Sequence, residues 1–161
     1  MRLLILNTDY LPFVDSLYRR NPGLETCSFA DQSAACADTL FGTADFYSRN
    51  LIALGHEAWD VIVNLEPAQR AWAGEHGLAV PAPWRWRRRR GILPWPYRDQ
   101  TAWLSAILEA QVKAYRPDVL YVMCMEAVDS AFLRRVKGHY RLAVGQHAAT
   151  PLRTDFSGYD L

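Results

Sequence analysis

The chain has 161 residues, half of them hydrophobic, and its formal net charge at pH 7 is +1. This length suffices for one domain with a single sizeable core, and a charge so close to zero does not indicate a polyanionic partner. No apolar run approaches the roughly 18 residues that a membrane-spanning helix needs.

Four strands separated by helical segments are predicted along the chain. The strands are expected at residues 2–6, 58–64, 118–123 and 141–146. The first is a continuous apolar run, which is typical of a strand covered on both faces. Residues 13–29 have weak periodicity and contain Asn-Pro-Gly, so they predict a loop with a short helical piece. Helices are expected at residues 30–40, 43–54, 66–77, 99–115 and 127–136.

Strand, helix and strand at this spacing predict right-handed crossovers and a parallel sheet. We therefore expect a single α/β domain over residues 1–161, with a Rossmann-like, doubly wound, mainly parallel sheet and the first strand central. Ligands of such sheets bind outside the carboxyl ends of the strands. Polar residues follow the predicted strands at 7–10, 64–66, 124–126 and 146–150, which indicates a cleft. Strand-end capping and turn chemistry can explain any one of them equally well.

Missing motifs exclude several familiar chemistries. The chain has no Gly-x-Gly-x-x-Gly after the first strand, no phosphate-binding Gly-x-x-x-x-Gly-Lys and no Gly-x-Ser-x-Gly nucleophile elbow. Its four histidines never fall at metal-ligand spacing, and no Asp-x-Asp is present to hold a divalent ion with a diphosphate. We therefore expect the domain to bind neither a metal nor a cofactor of its own.

Four motifs together resemble the N-terminal half of a bacterial GT-B glycosyltransferase. They are Asn-Thr-Asp-Tyr-Leu-Pro at 7–12, the helix-to-strand turn at 46–57, Arg-Pro-Asp-Val-Leu-Tyr at 116–121 and Val-Gly-Gln-His at 144–147. The resemblance covers most of the chain except residues 13–40 and 78–98. It implies an acceptor-binding domain that faces a separate C-terminal domain, which binds a nucleotide-sugar donor, and a transfer that needs no metal. On this interpretation Tyr-Asp-Leu at 159–161 begins a further strand or leads into that second domain, and the chain alone is inactive.

The resemblance also assigns candidate site residues. His147 follows the last strand, where retaining relatives often place a histidine against the transferred sugar; the alternative is a strand-end histidine bonded to a backbone carbonyl. Asp9 and Glu126 are strand-end carboxylates that could act as general base if burial raised their pKa; the alternative is a solvated turn carboxylate. The residues expected to bind substrate are Asn7, Thr8, Tyr10, Asn64 and Gln146.

A segment rich in Trp, Arg and Pro at about 78–98 is predicted to be a long surface insertion. Interleaved aromatic and arginine side chains can contact an anionic membrane or the phosphates of an acceptor. Nucleic acid is disfavoured because one loop is a small footprint. A further interpretation is an arginine-rich hinge paired with acidic residues of the second domain. The residues predicted to make the anionic contact are Trp84, Arg85, Trp86, Arg87, Arg88, Arg89 and Arg90.

The three cysteines are widely spaced, with no Cys-x-x-Cys pair, and the apolar start is too short for a signal peptide. Both features favour reduced thiols in a cytoplasm, with attachment at the inner membrane face as an option. The competing functional hypothesis is a non-catalytic, flavodoxin-like binding or regulatory domain.

Overall fold

The computed structural model describes residues 1–81, 84–87, 95–98, 100–147 and 155–161, and for residues 84–101 only the backbone of those positions. The strands are β1 (Arg2–Asn7), β2 (Glu57–Ile62), β3 (Trp84–Arg87), β4 (Trp95–Arg98), β5 (Val119–Val122) and β6 (Leu142–Gly145). The helices are α1 (Leu11–Arg20), α2 (Phe29–Ala37), α3 (Phe46–Ala53), α4 (Glu66–Glu75), α5 (Gln100–Tyr115) and α6 (Ser130–Arg135), with one 3₁₀ turn at Leu24–Thr26.

Four strands form one parallel sheet in the order β2-β1-β5-β6. This confirms the predicted α/β class and the central position of β1. Counted within this sheet alone, the second strand, β2, lies on one side of β1, and the third, β5, lies on the other. This is the strand order of flavodoxin-like sheets. The connection after β1 leads to β2 and the connection after β5 leads to β6, toward opposite edges of the sheet. The crevice where ligands bind in such sheets therefore lies between the carboxyl ends of β1 and β5.

One face of the sheet is closed by α5 and α6. Alternate strand residues point into this layer and are almost completely removed from solvent, as the two-residue period of a strand requires. They pack against Leu108 and Val112 of α5 and against Phe132 and Leu133 of α6. The strand residues of this cluster are Leu4, Leu6, Val61, Leu120, Val122 and Ala143.

The opposite face is covered unevenly. Helix α3 lies over β2 and β1, where Ile5 and Ala58 are buried. On β5 and β6 the side chains of the same face, such as Tyr121 and Val144, are only half-buried. The sheet thus has one sealed face and one face that becomes open toward β6.

Residues 13–29 correct the sequence prediction, because most of them lie in helices rather than in a loop. Helix α1 begins one residue before Pro12, whose missing N–H costs nothing in a first turn. Its Val14 and Leu17 are buried against α2 and α4. The Asn-Pro-Gly turn at 21–23 marks the end of this helix and not a continuous loop.

The predicted insertion at 78–98 is also more regular than expected. Its backbone forms an antiparallel hairpin, with Trp84 opposite Arg98 and Arg87 opposite Trp95, in a two-stranded sheet separate from the main one. Alternation of Trp and Arg at 84–87 is a period-two pattern typical of a strand. The anionic contacts predicted for Trp84–Arg90 concern side chains outside the described part of the chain.

The last residues lie along the outer edge of β6. The Asp160 N–H donates to the Ala143 carbonyl at 2.9 Å, and the Gly145 N–H donates to the Leu161 carbonyl at 2.9 Å. A Cβ at Gly145 would lie 3.0 Å from Tyr159 Cδ1 and 2.7 Å from Met125 Cε, so the glycine leaves room for both side chains. Among the described residues, no helix is long and apolar enough to cross a membrane.

Candidate functional site

The turn after β1 is fixed to the turn after β2 by a reciprocal pair of hydrogen bonds. The Asp9 N–H donates to Asn64 Oδ1 at 3.0 Å, and Asn64 Nδ2 donates to the Asp9 carbonyl at 2.6 Å. Both residues are half-buried, so both bonds are sheltered from exchange with water. Asn64, predicted to bind substrate, therefore positions the backbone that carries Asp9.

The Asp9 carboxylate lies against the last turn of α2 and the segment that follows it. Cys36 Sγ donates to Asp9 Oδ2 at 3.7 Å, and a Cβ at Gly42 would lie 3.1 Å from Asp9 Oδ1. Burial raises the pKa of Asp9 above its usual 3.8, and the thiol hydrogen bond offsets part of that rise. Burial and the nearby carboxylate raise the pKa of Cys36 to about 12, so this thiol keeps its proton at neutral pH and can serve as a donor.

The loop at 39–45, between α2 and α3, is held over the end of β1 in a strained conformation. Leu40 and Ala44 have left-handed backbones, with φ of 55° and 43°, on either side of Gly42 at 60°. Such a conformation costs a residue with a side chain roughly 1–2 kcal/mol and tends to occur at functional sites. Asn7 Nδ2 donates to Thr43 Oγ1 at 2.9 Å, which ties this loop to β1.

Large apolar side chains project from the same edge of the sheet. Tyr10 is 75% exposed, Leu40 73% and Phe46 58%. The ring centres of Phe41 and Tyr10 are 6.2 Å apart, and those of Tyr47 and Phe46 are 5.8 Å apart; both pairs lie edge to face. We call these five residues, Tyr10, Leu40, Phe41, Phe46 and Tyr47, the aromatic rim. A groove of about 430 Å³ separates Leu40 from Phe46 and Tyr47.

The rim continues to the ends of β5 and β6. Tyr47 and Tyr121 lie edge to face with ring centres 5.5 Å apart, and the Tyr121 hydroxyl donates to Gln146 Oε1. Gln146, predicted to bind substrate, is thereby connected to the rim through two tyrosines. Tyr121 is a contributor that sequence analysis missed, because a tyrosine inside a strand has no distinctive pattern.

The three candidate catalytic residues lie in different surroundings. His147 is exposed and lines a mostly apolar pocket of about 570 Å³ with Met125, Phe156 and Tyr159. This pocket lies at the end of β6, roughly 10 Å across the sheet from β1 at the usual strand spacing. Glu126 is exposed in the turn after β5 and lacks the burial that its assignment as a base required. Asp9 has that burial.

The structure thus gathers Asn7, Asp9 and Asn64 at one place, with Tyr10 on the rim above them. Thr8 is exposed beside them, and its N–H donates to Asn7 Oδ1 at 2.8 Å.

A second polar position was not predicted. Asp60 lies inside β2, and one of its oxygens accepts the Ser48 N–H at 2.8 Å, in the first turn of α3. Burial raises the pKa of Asp60, and the hydrogen bonds from Ser48 offset part of the rise. It lines a pocket of about 290 Å³ between α2, α3 and β2. A carboxylate within the apolar run at 58–63 was the sequence signal that could have identified it.

Within the described ranges, no group of three His, Cys, Asp or Glu residues is placed to hold a metal ion. No protein-family model, curated protein or solved structure matches this chain. The geometry at the carboxyl edge of the sheet therefore carries the functional argument.

Proposed function

We propose that this chain is the acceptor-binding half of a glycosyltransferase, which moves a sugar from a nucleotide-sugar donor to an acceptor hydroxyl. The observation that carries the proposal is the placement of Asp9. Its half-buried carboxylate lies at the carboxyl end of the central strand, where such sheets bind ligands, beside an exposed aromatic rim. The sequence motifs resembling the GT-B family point the same way.

Asp9 would act as the general base in this reaction. The acceptor oxygen would attack the anomeric carbon of the donor while the bond to the nucleotide diphosphate breaks, and the nucleotide leaves with the electron pair. The acceptor proton would pass to Asp9. A carboxylate whose pKa is raised by burial is a stronger base than a solvated one, so this environment suits proton abstraction.

The donor would be bound by a separate domain, as the family resemblance implies. His147, exposed at the end of β6, remains the candidate for contact with the transferred sugar. Attachment to an anionic membrane through residues 84–90, and a cytoplasmic location, also remain predictions.

One observation favours a second candidate, a flavodoxin-like domain that binds a ligand without catalysis. The strand order β2-β1-β5-β6 is the flavodoxin-like one. In the dinucleotide-binding order the third strand of the sheet, here β5, would pair with the outer edge of β2 and not with β1. Such a domain would use the same edge of the sheet, but substitution of Asp9 would affect no reaction.

The two candidates are separated by measuring nucleotide release from a panel of UDP-, GDP-, ADP- and dTDP-sugars. Residues 1–161 alone should release none, whereas the product of the complete reading frame should release nucleotide when acceptor is present. Asp9→Asn in that product should lower the rate about 10²-fold or more, the usual contribution of a general base.

The matched control is Asp15→Asn, which removes an exposed carboxylate of α1 and should leave the rate unchanged. Sugar transfer by residues 1–161 alone would contradict the assignment. So would a complete product that transfers no sugar, or one that Asp9→Asn and Asp15→Asn affect equally.

A further inference from the structure

Exposed apolar side chains are concentrated at the edge of the sheet that carries Asp9. Of the ten large hydrophobic residues exposed in the described part of the chain, five lie there: Tyr10, Leu11, Leu40, Phe41 and Phe46. Scattered exposed hydrophobic residues need no explanation, but a contiguous group marks an interaction surface. Two of the five, Leu40 and Phe41, lie in the loop at 39–45. Their exposed position depends on a strained backbone, since Leu40 is left-handed.

This surface is elongated. Phe13 stacks on Phe41 at 4.1 Å, and the groove beside Leu40 leads to Phe46 and Tyr47. From there the contacts run through Tyr121 to Gln146 at the end of β6. The distance from β1 to β6 alone is two strand spacings, roughly 10 Å. The rim therefore fits a ligand longer than a single sugar ring.

The charges of the groove disfavour an anionic ligand. Its one cation among the described lining residues, Arg49, lies 3.7 Å from the carboxylate of Asp45. The Asp9 carboxylate lies beneath the same loop. A phosphate or an anionic lipid headgroup would meet these carboxylates without an unpaired cation to offset them, so electrostatics disfavours both.

Neutral polar groups that can both donate and accept hydrogen bonds also lie along the rim. They include the hydroxyls of Thr43 and Tyr47 and the side-chain amides of Asn7 and Gln146. Sugar rings present hydroxyls at their edges and apolar C–H faces that aromatic side chains can cover. We infer that the aromatic rim binds an extended, uncharged oligosaccharide, with Phe46 and Tyr47 contacting its rings. That this oligosaccharide is the acceptor rests on the proposed function; that it binds does not.

The test is a titration of residues 1–161 with maltohexaose, cellohexaose and chitohexaose, and with the corresponding monosaccharides. Saturation-transfer NMR detects binding, and calorimetry gives the dissociation constant. At least one hexasaccharide should bind more tightly than its monosaccharide. Phe46→Ala should weaken that binding about fivefold or more, as expected for the loss of one stacking aromatic.

Ile52→Ala is the matched control, since Ile52 lies on the same helix and is 56% exposed, close to the 58% of Phe46. It should leave the dissociation constant unchanged. The inference is overturned if no hexasaccharide binds, if monosaccharides bind equally well, or if the two variants weaken binding equally. Binding to phosphatidylcholine vesicles, lost in Phe46→Ala, with no sugar binding would assign the rim to a membrane instead.

Failure of this inference is distinguishable from failure of the proposed function. Oligosaccharide binding by residues 1–161, together with a complete gene product that transfers no sugar, would retain the inference and remove the glycosyltransferase. Sugar transfer that depends on Asp9, with no oligosaccharide binding at the rim, would retain the glycosyltransferase and remove the inference.

Discussion

The two faces of the parallel sheet differ in what they contribute. Leu120 on one face is completely buried beneath α5 and α6, whereas its neighbour Tyr121 on the other is half-buried and bonded to Gln146. The strands that supply the sealed core thus also supply the edge of the candidate site. Neighbouring residues of one strand therefore contribute to different properties, Leu120 to the stability of the core and Tyr121 to the candidate site. Substituting each of them in turn tests this division.

The largest expected effect is the loss of a core side chain from the sealed face. Leu120→Ala should lower the free energy of unfolding by about 3 kcal/mol, because it removes a fully buried side chain and leaves a cavity. Tyr121→Ala should cost only about 1 kcal/mol, since its ring is partly exposed and loses one aromatic contact and one hydrogen bond. Urea denaturation of both variants measures the difference. Equal losses would show that the second face is as tightly packed as the first.

Next in size is the removal of the amide that joins the turns after β1 and β2. Asn64→Ala should lower the free energy of unfolding by about 1–2 kcal/mol, because two half-buried backbone groups of Asp9 lose their partners. Asn64→Asp keeps the acceptor oxygen but turns a charged oxygen toward the Asp9 carbonyl in place of the N–H donor, so at neutral pH it should cost at least as much as Asn64→Ala. Chemical denaturation at neutral pH checks the order, and an Asn64→Ala variant as stable as the wild type would contradict it.

Gly23 and Gly42 both have left-handed backbones, but only Gly42 lies close to Asp9. Comparing alanine variants of the two distinguishes the effect of backbone strain from the effect of a new contact with Asp9. Gly42→Ala and Gly23→Ala should each cost about 1 kcal/mol in unfolding free energy, because an alanine is strained at φ of 60° or 91°. Only Gly42→Ala brings a Cβ within 3.1 Å of Asp9 Oδ1, whereas Gly23 has no neighbouring atom within 4 Å.

Gly42→Ala alone should therefore shift the NMR resonances of the Asp9 carboxyl. Equal spectral changes around Asp9 in both variants would argue against the close packing of the loop at 39–45 on Asp9.

The smallest expected effect is a pH dependence. Because the pKa of Asp9 is raised in the folded state, folding favours the protonated form. The contribution of Asp9 to stability therefore falls as pH rises from its unfolded pKa, near 3.8, through its folded pKa.

Asp9→Asn removes that titration. The stability of Asp9→Asn relative to the wild type should increase over that pH window and then stay constant. Thermal melts of both proteins between pH 3 and pH 8 measure this difference. A difference that falls with rising pH would show that the folded state favours the charged carboxylate instead.

The four strands of the parallel sheet could be predicted because their apolar runs depend on local sequence alone, whereas β3 and β4 lie in a segment that was predicted to be a surface insertion. The convergence of Asn7, Asp9 and Asn64 could be predicted for a related reason, since parallel strands bring their carboxyl ends to the same edge. Helix α1 was missed because the Asn-Pro-Gly sequence at 21–23 was interpreted as part of a long loop, although Val14 and Leu17 lie three residues apart at helical spacing.

The aromatic rim could not be predicted in the same way. It depends on left-handed backbones at Leu40 and Ala44, and neither residue type indicates such a conformation. The position of Asp60 beneath α3 likewise depends on how α3 packs on β2, which the residues around Asp60 do not indicate by themselves.

The pair of hydrogen bonds between Asn64 and Asp9 has a consequence for how such a site can diversify. Asn64 holds the main chain of residue 9 and does not touch its carboxylate. These two hydrogen bonds therefore do not depend on which side chain residue 9 carries. Among descendants of this sequence, residue 9 can change, and the properties of the candidate site with it, while Asn64 keeps the same turn in place. Selection for a different ligand would then alter residue 9 and the loop at 39–45 first, and Asn64 last.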